Sequence, residues 1–255
     1  MRDEAVRLID VFGAFIPVAR PPPGARPIPT SWVFKTKPTR LKARLVATQS
    51  LKHFDVPDKF SPTISLATLR FMLAFAVVHN CTIATVDVAG AYLFAHLEPG
   101  EEIYLRTPSH FHDVVDFRDG DGNPAKFIKL TRYLYGLQRA GAAFYRHFCK
   151  WITGIGFRQC ASDPCLFVCT KGTERLLVGC YVDDDVMVST SEGLRLAFVR
   201  DQVRQLLVSL MHISGKYNPA DIGTKALGPA DFQRHARVVL GLSEIPTDAA
   251  GIRPL

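Results

Sequence analysis

The chain has 255 residues, 47% hydrophobic and 22% charged, which excludes intrinsic disorder for most of its length and allows one large domain or two small ones. No apolar run approaches the ~20 residues a membrane helix needs, the longest running from Phe71 to Val78, and an N-terminus carrying Asp3, Glu4 and Asp10 is not a secretory signal, so a cytoplasmic or nuclear protein without a membrane partner is expected. The net charge of +7 is local: residues 1–52 hold ten basic and three acidic side chains, and no acid falls between Asp10 and Asp55.

Six prolines within residues 17–30 predict an extended arm. Trp32–Lys35 and Ala43–Ala47 then read as two short strands joined by a basic turn near Pro38, with Lys35 and Lys37 on one side. Ser65 to His79 predicts a helix, with Ser65 as N-cap and Leu66, Leu69, Leu73, Ala76 and Val77 at helical spacing. Thr82–Val88 alternates as a strand and carries Asp87 at its end. Glu102–Arg106 is a further strand, stopped by Pro108, and 112–123 is a loop. Phe127–Leu130 is a short strand, Ala140–Ile152 a helix ended by Gly154 and Gly156, and Asp163–Thr170 a strand. Leu176–Thr190 is two apolar runs around Asp183-Asp184-Asp185, a hairpin with acids at its turn. Beyond it, Leu194–Leu210 and Asp231–Leu240 are helix-like.

The one-sign basic stretch makes a field that attracts phosphates, or it is a solvated basic face. The cysteines Cys81, Cys149, Cys160, Cys165, Cys169 and Cys180 contain no C-x2-C pair, which favours reduced, mostly buried thiols over a zinc site.

Three adjacent aspartates between apolar strands repel one another and are costly to bury without a cation. An exposed polar turn is the competing reading. Asp87 alone could cap the element that follows. Together, a strand-end Asp and a hairpin Asp pair can meet at one sheet edge, where hard carboxylate oxygens suit Mg²⁺.

"TVDVAGAYL" at 85–93 with "YVDD" at 181–184 resembles the palm motifs of reverse transcriptases. "SWVFKTK", "KARLVA", "KFSPTISLATLR", "EEIYLRTP", "KLTRYLYGL", "GF" with "DPCLF" and "YVDD" follow the order of Ty1/copia-type retrotransposon polyproteins over residues 28–190. "YNPADIGTKALGPADFQRHARVVLGL" resembles the C-terminal, ribonuclease H end of those polyproteins.

The resemblance implies an α+β fold: polymerase fingers and palm with an antiparallel sheet and flanking helices, plus a short helical C-terminal remnant. It implies that Asp87, Asp183 and Asp184 are catalytic, holding Mg²⁺ or Mn²⁺, while Asp185 is an extra acid where the family has an apolar residue. Lys35 and Arg44 match basic positions that meet the triphosphate, and Arg44 suits bidentate recognition. Lys37 and Lys42 are expected to face template or solvent. Tyr92 matches an aromatic that packs under the incoming sugar, or it is a core tyrosine. "LYGLQRA" departs from the usual "LYGLKQA", so nucleotide-binding Gln138 stands in place of Lys and Arg139 in place of Gln. "RLVATQS" departs from the usual "RLVARGF". Asp221 matches a ribonuclease H acid or is a helix N-terminal acid.

The implied division is an N-terminal arm over 1–27, fingers and palm without a thumb over 28–190, a ribonuclease H remnant over 191–243 and a loose tail over 244–255. Between "YVDD" and the "ADI-TK" block the family's thumb and primer grip are missing. The chain therefore reads as a deleted or rearranged copy that begins inside the polyprotein. The expected function is an RNA-directed DNA polymerase that adds deoxynucleoside triphosphates to a primer on an RNA or DNA template, weakened by the missing parts. The alternatives are a non-catalytic nucleic-acid-binding remnant and a pseudogene product.

Overall fold

The computed structural model describes residues 1–37, 40–48, 59–204, 229, 230 and 233. Asp221, the "ADI-TK" block, the helix expected near Asp231–Leu240 and the tail lie almost wholly outside the described residues.

Asp87 and the Asp183–Asp185 turn belong to one five-stranded antiparallel sheet. Its strands are Thr82–Asp87 (β4), Asp184–Ser189 (β10), Glu174–Tyr181 (β9), Leu166–Lys171 (β8) and Arg158–Gln159 (β7), and its order is β4-β10-β9-β8-β7. Side chains alternate across such a sheet, so its two faces carry different residues. One face is covered by helix α3 (Ala140–Gly154) and helix α4 (Glu192–Arg204). There Phe148 meets Phe167 edge-on with ring centroids 5.7 Å apart, and Phe198 reaches Trp151 and Phe157. The other face receives helix α2 (Leu66–Val78) over Gly179, where a Cβ would lie 2.4 Å from Ile64 Cδ1 and 2.9 Å from Met72 Sδ. A side chain at Gly179 would push α2 off the sheet.

Ser65 caps α2 as its sequence predicts, its hydroxyl accepting the Thr68 N–H at 3.1 Å. Buried Asp163 fastens the same end of α2 to the sheet: it accepts from Ser65 N–H at 3.0 Å, Thr68 Oγ1 at 2.5 Å and Cys165 N–H at 2.9 Å. Burial alone would raise the Asp163 carboxyl, but these hydrogen bonds outweigh it and hold the group below its ordinary range.

A second core lies around a three-stranded sheet, Phe15–Val18 (β1), Phe127–Leu130 (β6) and Tyr104–Arg106 (β5), in the order β1-β6-β5. Pro17 is tolerated because β1 is an edge strand. Thr30–Lys37 (β2) and Arg40–Ala47 (β3) form a separate hairpin rooted on this core. Trp32 stacks on Phe111 and donates its indole N–H to Ser109 O at 3.2 Å. At the same open end of the hairpin, on the partner strand, Ala47 N–H donates to Tyr135 O at 2.8 Å. Gly136 is obligatory there, because its φ is +89° and a Cβ would lie 2.0 Å from Ala47 O.

Of the residues before 28, Ala5, Leu8, Ala14 and Phe15 are packed into this core, whereas the proline-rich stretch 19–26 is mostly exposed. The short helix Arg2–Val6 (α1) continues through a π-helical turn, Arg7–Val11, and buries Ala5 and Leu8 beside Leu45. The remaining short element is a 3₁₀ turn, Ala91–Phe94, directly after the Asp87 strand. All six cysteines are free. Among the described residues no helix is long and apolar enough to cross a membrane.

Candidate active site

Asp87 closes β4, Asp184 opens β10, and the two are directly opposed across the ladder. Opposed residues on one sheet face hold their Cβ atoms ~4.5–5.5 Å apart, and like charges there are destabilising. Asp183 sits in the two-residue turn between β9 and β10, and its carbonyl accepts the Val88 N–H at 2.7 Å. The turn places Val182 at φ +61°, a strained conformation for a β-branched residue, of the order of 1–3 kcal/mol.

Asp87 and Asp184 are exposed and Asp183 is half-buried. Burial and the charges of Asp183 and Asp87 raise the Asp184 carboxyl above its ordinary value. The structure thus brings three carboxylates to one rim, with mutual repulsion that a divalent cation would relieve. Among the described residues no three Asp, Glu, His or Cys side chains already close around a common point. The aspartates form a shared rim, and their hard oxygen donors suit Mg²⁺ or Mn²⁺.

Asp185 points the other way. It is fully buried opposite Cys180, and its Oδ2 accepts from Gln202 Nε2 of α4 at 3.4 Å, while Oδ1 has no partner among the described residues. Burial pushes its carboxyl up to about 8 against the hydrogen bonds from Cys180 and Gln202, so it is largely protonated at neutral pH. Alternation along β10 separates the two acids: Asp184 faces the open rim and Asp185 the core.

The basic hairpin faces the same region. In its register Val33 opposes Arg44 and Lys35 opposes Lys42, which puts Lys35, Lys42 and Arg44 on one face. The Arg44 guanidinium lies 4.8 Å from the Tyr135 ring centroid, and Tyr135 meets Tyr92 edge-on at 5.0 Å. Burial raises the Tyr92 hydroxyl first, the Asp183 charge raises it further, and Arg44 lowers it. Burial likewise raises Tyr135, with Arg44 and Arg7 opposing. Arg44, Tyr135, Tyr92 and Asp183 therefore form a continuous path from hairpin to acids.

Tyr135 is the residue that sequence reasoning missed. Its signal lay in "LYGL", where the neighbouring glycine has to admit Ala47 O. Gln138 is half-buried in the turn entering α3, and Arg139 beside it is drawn to Glu101 at 3.2 Å. Lys35 is exposed on the hairpin, and the side chain of Lys37 lies outside what is described.

Residues 15–211 match the reverse transcriptase (RNA-dependent DNA polymerase) family. The chain belongs to that family. It is 31% identical over 182 residues to a retrovirus-related Pol polyprotein from a transposon of Nicotiana tabacum, covering 68% of this chain and 13% of the relative. A similar polyprotein from Arabidopsis thaliana is 30% identical over 196 residues, covering 74% of this chain and 13% of its own length. The Ty1-H Gag-Pol polyprotein of Saccharomyces cerevisiae is 25% identical over 210 residues, 81% of this chain and 11% of its own. The chain spans only a small part of these relatives. It is a Ty1/copia-type reverse transcriptase fragment with an α+β fold, and the family match takes in β1 and α4, on both sides of the expected 28–190 stretch.

Proposed function

We propose that this chain carries out template-directed addition of deoxynucleotides to a primer 3′-OH, with Asp87, Asp183 and Asp184 as its metal-binding acids. The observation that carries the reading is the in-register opposition of Asp87 and Asp184 beside the Asp183 turn, facing a hairpin on which Lys35, Lys42 and Arg44 share one face. Mg²⁺ or Mn²⁺ held there would lower the pKa of the attacking hydroxyl and neutralise the phosphates.

The chain's own residues do the rest. Arg44, oriented by the Tyr135 ring, meets the triphosphate of the incoming nucleotide, and Lys35 and Lys42 add positive charge along the same face. The Lys35–Lys42 opposition is itself unfavourable, and a bound polyanion offsets it. Tyr92 packs under the sugar, its edge fixed by Tyr135. Gln138 and Arg139 stand at the entrance to α3, in the segment that follows Tyr135. The template–primer, RNA or DNA, lies across the rim.

The test is extension of a labelled primer on an RNA template with Mg²⁺. Slow extension that Asp183→Asn and chelation both abolish is expected. Extension indifferent to Asp183→Asn would overturn the reading. Template–primer binding with no extension would favour the alternative of a non-catalytic nucleic-acid-binding remnant, which the basic face alone supports.

A further inference from the structure

Glu4 is a buried acid on a five-residue helix, 8% exposed, far in sequence from every other feature of the site. Burying a charged carboxylate is costly unless it is paired. Two elements meet at this one. The Arg7 guanidinium approaches it with Nη1 3.6 Å from Oε2, and the helix that carries it packs on strand β3, where the Leu45 main chain acts on its charge. Lys42 and Arg44, on the same strand as that contact, also act on its charge.

Arg7 makes the second connection. Its Nη2 lies where a Cβ of Gly90 would stand, only 2.0 Å from that position, and Gly90 is held at φ +78° in the turn between Asp87 and Tyr92. The guanidinium also sits 5.3 Å from the Phe12 ring centroid. Ala5 and Leu8, which flank the pair, pack in the same buried cluster as Leu45.

We propose that Glu4 and Arg7 are positioning residues. They clamp strand β3 to the Asp87–Tyr92 turn, and through that clamp they fix Arg44 for the phosphates of the incoming nucleotide. The inference rests on the nucleotide site proposed above. An N-terminal segment outside the polymerase motifs thereby helps to set nucleotide affinity. Arg44 reaches the Tyr135 ring from the stretch of strand next to Leu45, on which the helix of Glu4 packs, so loosening that packing frees Arg44 to leave the ring.

A double-mutant cycle on the full chain tests this, with calorimetric titration of dTTP and Mg²⁺ as the readout. Glu4→Gln keeps the shape and removes the charge. It is expected to weaken dTTP binding about tenfold when Arg44 is present, and less than about twofold in an Arg44→Gln background. Arg7→Lys keeps a positive charge but withdraws the guanidinium from Gly90, and the same background-dependent loss is expected. Equal losses with and without Arg44 would make the pair merely structural and overturn the proposal, as would no loss in either background. If the unsubstituted chain binds no dTTP, the nucleotide site itself is wrong and this inference falls with it.

Discussion

Asp185 shows how one step of strand alternation decides the chemistry of a carboxyl. Its neighbour Asp184 is exposed at the rim, whereas Asp185 is sealed between Cys180 and Gln202, with one oxygen lacking a partner among the described residues. Between the ordinary aspartate range and about 8, the folded chain holds a proton that the unfolded chain has released. The stability contributed by that proton is complete at acid pH and is lost as pH rises through the folded value. Asp185→Asn should therefore flatten the decline in stability between about pH 4 and 8, and Asp185→Val should raise stability most at the alkaline end. Urea unfolding at a series of pH values measures both, and an unchanged slope in Asp185→Asn would show that another group sets it. Asp163 has the opposite sign, since its depressed value gives stability that is present at neutral pH and lost on acidification.

Among the elements, α2 has an unusual distribution of burial. Its sequence LATLRFMLAFAVV is apolar almost all round, yet Met72 and Ala76 alone are buried, while Leu66, Phe71, Leu73, Val77 and Val78 are exposed. The sheet thus holds this helix through few side chains, Met72 over Gly179 chief among them. Met72→Ala is expected to cost ~2–5 kcal/mol, whereas Val77→Lys should change stability by less than ~0.5 kcal/mol. Comparable losses in denaturant melts of the two variants would mean that α2 is seated differently. The same contrast explains which elements were legible in the sequence. The acid-bearing strands and the basic hairpin show their own periodicity, and Ser65 marks the start of α2 at the residue where the structure begins it. The buried face of α2 was not legible: Leu66, Leu73 and Val77 of the expected stripe are exposed, because a helix apolar almost all round does not mark which side meets the sheet. Helix α1 was not legible, because five residues without a side-chain cap have no helical signal and the packing beside Leu45 is what holds them. Strand β1 was hidden by Pro17, which reads as a breaker unless the strand is known to lie at an edge.

At the scale of the whole molecule, charge is separated: cations gather on the hairpin face and acids on the rim of the larger sheet. The meeting of Asp87 with the Asp183–Asp184 turn at one sheet edge could be read from sequence, because a strand-end acid and acids at a hairpin turn both stand at the ends of apolar strands. The path from Arg44 through Tyr135 and Tyr92 to Asp183 could not, since it depends on tertiary proximity among segments about forty or more residues apart. Charge separation predicts that template–primer binding weakens steeply with salt. Replacing Lys35 and Lys42 together with Gln should reduce the slope of log affinity against log salt by about 1–2, in proportion to the phosphates no longer neutralised. A slope unaltered by the pair would place the nucleic acid elsewhere. If Asp87, Asp183 and Asp184 act as one metal-binding set, metal affinity must depend on acids from both strands. A Mn²⁺ titration of the full chain followed by electron paramagnetic resonance measures that dependence. Asp87→Asn and Asp184→Asn, on different strands, should each weaken Mn²⁺ binding by about tenfold or more. Mn²⁺ binding that survives both substitutions unchanged would contradict the shared site.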